Sequence, residues 1–445
     1  MEDLFPLRRS LTGDGVRETL RRIQREIPIE IHEVPLPLQA MDWRLENEWR
    51  FHSARLFDEN GAVVIDAHNC ALHCLGYSEP FTGWVNREEL EEHLIVGPKE
   101  APGSVPYATS YFEKRWAFCV SWSQHRRLSG HKFFVKIDTE LFRGSLTYAD
   151  LAIPGETSDE VMLDSYCCHS AGLANNEASG PTVLTALVQW WQEKPRRHTL
   201  RVLLAPETIG PLVYLSRPSI LCEPGIQWHG PGTPEYGLMH VDSGLSVPLA
   251  WLRQRLRAGL TLTCLGGPGS FALQLGRREN YASKIARHIV THEHDAEIRP
   301  WDRRASNERQ WCAPGIDLPW ATVFKTPPGN PLYPQYHTSA DNLEFVRPEH
   351  LEESFALMKL ILTAIEEDRR YKTTVLGEPQ LSKRNLYPSL SKLNSWESAR
   401  SLLITWSYAD GRSLLENATE QGRSILEVEK EIRVLLEHGI VEVVK

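Results

Sequence analysis

The stretch 161–210, VMLDSYCCHSAGLANNEASGPTVLTALVQWWQEKPRRHTLRVLLAPETIG, decides the fold class. It opens on the apolar run Val161-Met162-Leu163 and returns to one at Leu200-Arg201-Val202-Leu203-Leu204, each ending in a polar turn. Between them, 181–193 reads as a helix, with Ser179 as the expected N-cap and Pro181 near its first position. Near-continuous apolar strands flanking a helix suit a sheet covered on both faces. Outward from this unit, 133–137 and 260–263 read as further strands, and 280–290 and 351–368 as helices. The pattern predicts an α/β layered domain.

The flanks differ. After the turn at 10–15, Val16, Leu20, Ile23 and Ile27 fall at helical spacing. From 43 to 122, aromatics, Gly and Pro punctuate short runs such as 62–65, a small β-rich unit with one helix at 86–94. Past Gly377-Glu378-Pro379, three short helices at 401–407, 412–419 and 424–437 precede a β-prone tail at 440–444, the plan of a winged helix. The expected units are a core of 1–40 and 130–376, an insertion of 41–129, and a winged helix of 377–445.

Of 445 residues, 41% are hydrophobic and 24% charged, which excludes disorder as the main state. Lys and Arg total 49 against 58 Asp and Glu, and a net charge of −9 disfavours general polyanion binding. From 380 onward nine basic residues face nine acidic ones, so the winged helix is expected to serve structure or protein contact and not nucleic acid. No apolar run is long enough for a membrane span, and the acidic start Met1-Glu2-Asp3-Leu4 is unlike a signal peptide. Eight cysteines are expected as thiols in a cytoplasmic protein. His68, Cys70, His73 and Cys74 invite a zinc reading, but a strand there would split them between two faces. Fourteen tryptophans allow a homo-oligomeric interface.

Ligands of an open α/β sheet gather at the carboxyl ends of its strands. Four polar loops are candidates: 165–180, 205–210, 306–310 and 336–342. A hydrolytic zinc needs about three His or carboxylate ligands and a free carboxylate to take a proton. His169, Glu177 and His337 could be ligands, Glu207 the base, and Asp341 the partner of the second imidazole nitrogen of His337. Spacing leaves open that these loops are ordinary turns.

Several motifs add to this reading. They are Arg9-Ser10-Leu11-Thr12-Gly13-Asp14-Gly15, Val105-Pro106-Tyr107-Ala108-Thr109-Ser110-Tyr111, Ala174-Asn175-Asn176-Glu177, Pro206-Glu207-Thr208-Ile209-Gly210, Glu308-Arg309-Gln310 and Tyr336-His337-Thr338-Ser339. With them the chain resembles, over almost its whole length, a bacterial family of aminopeptidase-like proteins related to zinc exopeptidases of the leucyl aminopeptidase type. The resemblance implies a phosphorylase/hydrolase-like three-layer α/β core with a small β-rich insertion and a C-terminal winged helix. It implies zinc, with His169 and His337 among the ligands and Glu207 as base. Asn176 stands where these aminopeptidases carry a metal-bridging Asp, leaving Glu177 to supply the carboxylate. Thr208 replaces a second glutamate, and Gly266-Gly267-Pro268-Gly269 replaces a further acid, which implies one zinc ion and not two. Asn307 stands where relatives often have Asp, weakening the expected grip on a substrate amine, and Arg309 could clamp a substrate carboxylate or an oxyanion, or form an internal salt bridge.

The expectation is a mononuclear zinc hydrolase of amide or peptide bonds, aminopeptidase or amidase in type, in a biosynthetic pathway. Its substrate would be a small peptide-like or N-acyl amino compound. The alternative is a catalytically retired fold serving as a binding or scaffold protein. The stretch 217–250, with Trp228, His229, Tyr236, His240 and Asp242, is expected to shape the pocket.

Overall fold

The computed structural model describes residues 1–216, 247–327, 329, 332–386 and 394–444. An eight-stranded sheet runs, edge to edge, Glu30–Pro35, Ser145–Ile153, Thr199–Ala205, Glu160–Tyr166, Leu256–Leu262, Trp320–Thr326, Ser270–Gln274 and Glu297–Arg299. The four middle strands, Thr199–Ala205 to Trp320–Thr326, are mutually parallel, and the strand on each side of them is antiparallel to its inner neighbour. Every residue of Glu160–Tyr166 is buried, as a strand covered on both faces should be. Its alternation divides the interior. Val161 and Leu163 join Val16, Leu184, Ile285 and Ile361 in one cluster, while Met162 joins Leu203, Leu212, Trp311 and Trp320 in another. Each such aliphatic side chain contributes roughly 2 kcal/mol by leaving water.

Helix Ser179–Gln192 starts differently from the expectation. Ser179 is not its N-cap, because a π-helical turn, Ala174–Ala178, leads directly into it. The Ser179 hydroxyl instead donates to the Asn175 carbonyl and accepts from Leu265 N at 2.8 Å. Gly180 lets the helix press on the sheet: a Cβ there would lie 2.4 Å from the Leu262 carbonyl oxygen.

The run 133–137 is not a core strand. It lies in Lys132–Phe142, which pairs with Glu48–Phe57 and Phe81–Asn86 in a four-stranded antiparallel sheet that also holds Val63–Asp66. Phe133, Val135 and Ile137 are buried and Lys136 is exposed, the alternation of a strand covered on one face only. The stretch 71–73 is a 3₁₀ turn and not part of a strand. His73 there meets Cys119 O at 2.7 Å and Gln124 at 3.2 Å, and no metal-type grouping forms around it among the described residues. The described cysteines are free thiols.

The C-terminal unit places helices Asn394–Ser407, Leu414–Gln421 and Ile425–Glu437 with a three-stranded sheet of Asp410–Ser413, Arg370–Thr373 and Val441–Val443. Its sheet thus begins ahead of Gly377. It docks on the core through Ser424 Oγ on Glu293 (2.6 Å) and Leu415 N on Asp368 (2.9 Å). No helix among the described residues is long and apolar enough to cross a membrane.

Candidate active site

All four candidate loops meet at the carboxyl ends of the middle strands. Strand Glu160–Tyr166 delivers His169, and strand Thr199–Ala205 delivers Glu207. Glu207 N donates to Cys168 Sγ at 3.2 Å, tying the two loops together. Thr208 follows at φ 69°, ψ −62°, with Ile209 N bonded to Glu207 O at 2.8 Å. This is a γ-turn, a strained conformation for a β-branched residue.

The turn is held from outside. Thr208 N donates to Asn307 Oδ1 at 2.8 Å, and Asn307 Nδ2 donates to Asp164 Oδ2 at 2.7 Å. Asn307 is 1% exposed, and its side chain ties this turn to Asp164. Burial pushes the Asp164 carboxyl up to about 7, against the pull of donors from Thr261, Trp311 and Asn307.

His169 lies between two carboxylates. Its Nδ1 is 2.8 Å from Glu177 Oε2, and its Nε2 is 3.8 Å from Glu207 Oε2. Burial alone would pull this imidazole down, but the hydrogen bond and charge of Glu177 outweigh it and the net shift is upward. Glu177, predicted as a ligand, is also held by its neighbours. Its Oε2 also accepts the His169 backbone N–H (3.0 Å), and its Oε1 lies 3.0 Å from the Nε of Arg9, both side chains being 1% exposed. Glu177 therefore orients His169 through Nδ1 and neutralises a buried guanidinium. Cys168, His169 and Glu177 offer ligand atoms within 4.8 Å of one another. A dication there would face Arg9, and burial holds the Cys168 thiol well above its usual range. Within the trio, Cys168 Sγ lies 3.8 Å and Glu177 Oε2 2.8 Å from His169 Nδ1.

His337 faces His169 with ring centres 5.4 Å apart. Its Nε2 is buried without a partner, and burial, with the neighbouring His169, holds the ring down at about 3. It is therefore a neutral imidazole with an unused lone pair or N–H. Asp341 does not serve it as anticipated. Its carboxylate accepts Asn175 N (2.6 Å), Asn176 N (2.9 Å) and the Tyr333 hydroxyl (2.7 Å), fixing the π-helical turn. Asn176 donates to the Tyr166 hydroxyl at 2.7 Å and leaves its buried Oδ1 unpaired.

The insertion completes the site. Tyr107 N donates to His337 O at 2.8 Å, Ser339 N to Val105 O at 2.8 Å, and Pro106 bridges to Thr338. His337 is held at φ 55° in this pairing. The Tyr107 ring lies 5.2 Å from that of His169 and 5.1 Å from that of His337. Nothing in the local sequence marks Tyr107 or Arg9 as part of this site, because their contacts are with residues distant in the chain.

Glu207 is partly exposed, accepts from Ser306 Oγ at 2.9 Å, and is raised by burial more than His169 and Arg309 lower it. Beside it opens a cavity of about 290 Å³ walled by Tyr166, Phe324, Leu332 and Tyr336 together with Arg299, Arg303 and Glu308. Arg309 is exposed and donates to the Thr208 hydroxyl. The expected pocket residues Trp228, His229, Tyr236, His240 and Asp242 lie outside the described residues.

A protein of Clostridium acetobutylicum, named for polysaccharide biosynthesis and an aminopeptidase-like domain, is 32% identical over 395 residues, 87% of this chain and 82% of its own. A crystal structure from the same organism, named as a peptidase, matches with TM-score 0.84 and 28% identity, covering 100% of this chain and 94% of that one. The zinc aminopeptidase BSAP of Bacillus subtilis matches with TM-score 0.56 and 12% identity over 82% of this chain and 91% of its own, a likeness of fold alone. The family model of a domain of unknown function, DUF4910, matches residues 1–223 and 248–368, and a winged helix-turn-helix model matches 369–443. The chain belongs to the DUF4910 family, an aminopeptidase-like fold carrying a C-terminal winged helix.

Proposed function

We propose that this chain is a mononuclear zinc-dependent hydrolase of amide or peptide bonds, aminopeptidase or amidase in type, acting in a biosynthetic pathway. The observation that carries the reading is the facing pair His169 and His337, 5.4 Å between ring centres, with the buried Nε2 of His337 unpaired. Two imidazoles sharing one tetrahedral zinc place their ring centres about 5 Å apart. His169, Glu177 and His337 would hold the ion, and the buried Oε1 of Glu177, like the Oδ1 of Asn176 beside it, has no hydrogen-bond partner. Bound zinc supplies Lewis acidity toward a carbonyl and toward water. Glu207 accepts the proton of the attacking water and returns it to the leaving nitrogen. Ser306 orients that carboxylate, and the Asp164–Asn307–Thr208 chain fixes its backbone. The name of the Clostridium acetobutylicum relative supports a biosynthetic setting.

A specific observation favours a second reading, a retired fold that binds without hydrolysis. The acid nearest His169 Nδ1 is also ion-paired with Arg9, and Asn176 is neutral. Zinc content of the purified full chain separates the two. The hydrolase reading expects about one ion per chain, lost in His337→Ala. It also expects hydrolysis of N-acyl amino acids or aminoacyl anilides, lost in Glu207→Gln with the ion kept. Folded, zinc-free protein without hydrolysis would overturn it.

A further inference from the structure

We infer that the site holds its substrate by a free carboxylate clamped by Arg309, and that this substrate is an N-blocked amino acid with an apolar side chain. The inference rests on the hydrolase reading and names its substrate class. Three observations carry it.

The first is an unspent guanidinium. Arg309 is exposed, gives one hydrogen bond to the Thr208 hydroxyl, and pairs with no carboxylate among the described residues. A guanidinium has five N–H donors in a planar fork that fits a carboxylate, so most of its capacity is open. Thr208 adjoins Glu207, which puts this cation one residue from the proposed base, and its field reaches the Glu207 carboxylate.

The second concerns the acids that could receive a substrate ammonium. Glu308 accepts from Ala305 N (2.8 Å), Ser306 N (3.0 Å) and Thr322 Oγ1 (2.7 Å), three of its about four acceptor sites. Glu177 is neutralised by Arg9, and Asn307 is neutral and buried. Glu207 remains, beside His169 and Arg309. A free amino terminus would thus compete for Glu207 with His169 and Arg309, whose charges already act on that carboxylate.

The third is the cavity beside Glu207, about 290 Å³, where Phe324, Leu332, Tyr166 and Tyr336 share the walls with Glu308, Arg299 and Arg303. It is suited to an apolar side chain. In the reaction the amide C–N bond breaks, the water oxygen joins the acyl carbon, and a proton passes to the leaving nitrogen. The products are a carboxylic acid and a free amino acid whose carboxylate stays on Arg309 until release.

The test is calorimetric titration of the full chain carrying Glu207→Gln with N-acetylphenylalanine, its methyl ester and phenylalaninamide. It is repeated with Arg309→Gln or Arg309→Lys added. The acid should bind at least about tenfold more tightly than the ester, the scale of a charge-assisted hydrogen-bond pair. That preference should fall to within about twofold in Arg309→Gln and be intermediate in Arg309→Lys, which keeps the charge without the fork. Equal binding of acid and ester, tighter binding of phenylalaninamide, a preference surviving Arg309→Gln, or no binding of the acid at millimolar concentration would each overturn the clamp. Loss of the preference in Arg309→Gln, with wild-type protein lacking zinc and hydrolysis, keeps the clamp and removes the hydrolase. Zinc and hydrolysis without acid preference do the reverse.

Discussion

Replacing Arg9 by Met removes one half of a buried ion pair and leaves the other. Arg9 and Glu177 are each 1% exposed with Nε and Oε1 3.0 Å apart. The same guanidinium bonds His169 O at 3.0 Å and Leu4 O at 2.6 Å. Stranding a buried carboxylate costs about 3–5 kcal/mol, and each carbonyl left without its donor about 1 kcal/mol more. The nearby Nδ1 of His169, 2.8 Å from Glu177, offsets part of this, so the expected loss is about 4 kcal/mol. Glu177→Gln should cost less, about 2 kcal/mol, because Arg9 keeps its carbonyl acceptors. The double variant should therefore lose well under the sum, with a coupling of about 1–3 kcal/mol. Urea unfolding of the full chain followed by tryptophan fluorescence measures all three. A loss below about 1 kcal/mol for Arg9→Met, or strict additivity in the double variant, would refute the reasoning.

Asn307→Ala removes the bonds to Thr208 N and Asp164, leaving the strained turn before helix Ile209–Leu215 without its clamp. Its unfolding midpoint should shift by the equivalent of about 2–4 kcal/mol. Asp164 sits at about 7 when folded and about 4 when unfolded, so the folded state holds the extra proton between those values. Its contribution to stability is present below about pH 4 and lost as pH rises toward 7, and the wild type minus Asp164→Asn difference in unfolding free energy should slope that way. Gly180→Ala places a Cβ 2.4 Å from Leu262 O and should destabilise by about 1–3 kcal/mol, where an unobstructed helix site would gain stability. Thermal unfolding decides the sign.

What could be read in the sequence was what local periodicity and strand-end position encode. Runs 161–163 and 200–204 are covered strands, and His169, Glu207 and His337 follow strands or sit in late loops, so their convergence was legible. The run 133–137 misled because Phe134 makes an alternating strand look continuously apolar. The contacts of Glu177, Asp341 and Asn307 were not legible, because each is made with a partner remote in the chain: Arg9, the 175–176 backbone, and Asp164 with Thr208. Nothing local marks Thr208 as a positive-φ residue, since such turns ordinarily select Gly or Asn.

The pairing of 105–107 with 337–339 means the insertion is no detachable cassette. A trimmed protein spliced across it would retain every strand of the large sheet, yet residue 337 would lose its backbone tether and the Tyr107 ring beside it. Engineering that grafts this core onto another scaffold must carry the insertion along, or the second imidazole arrives without its anchor.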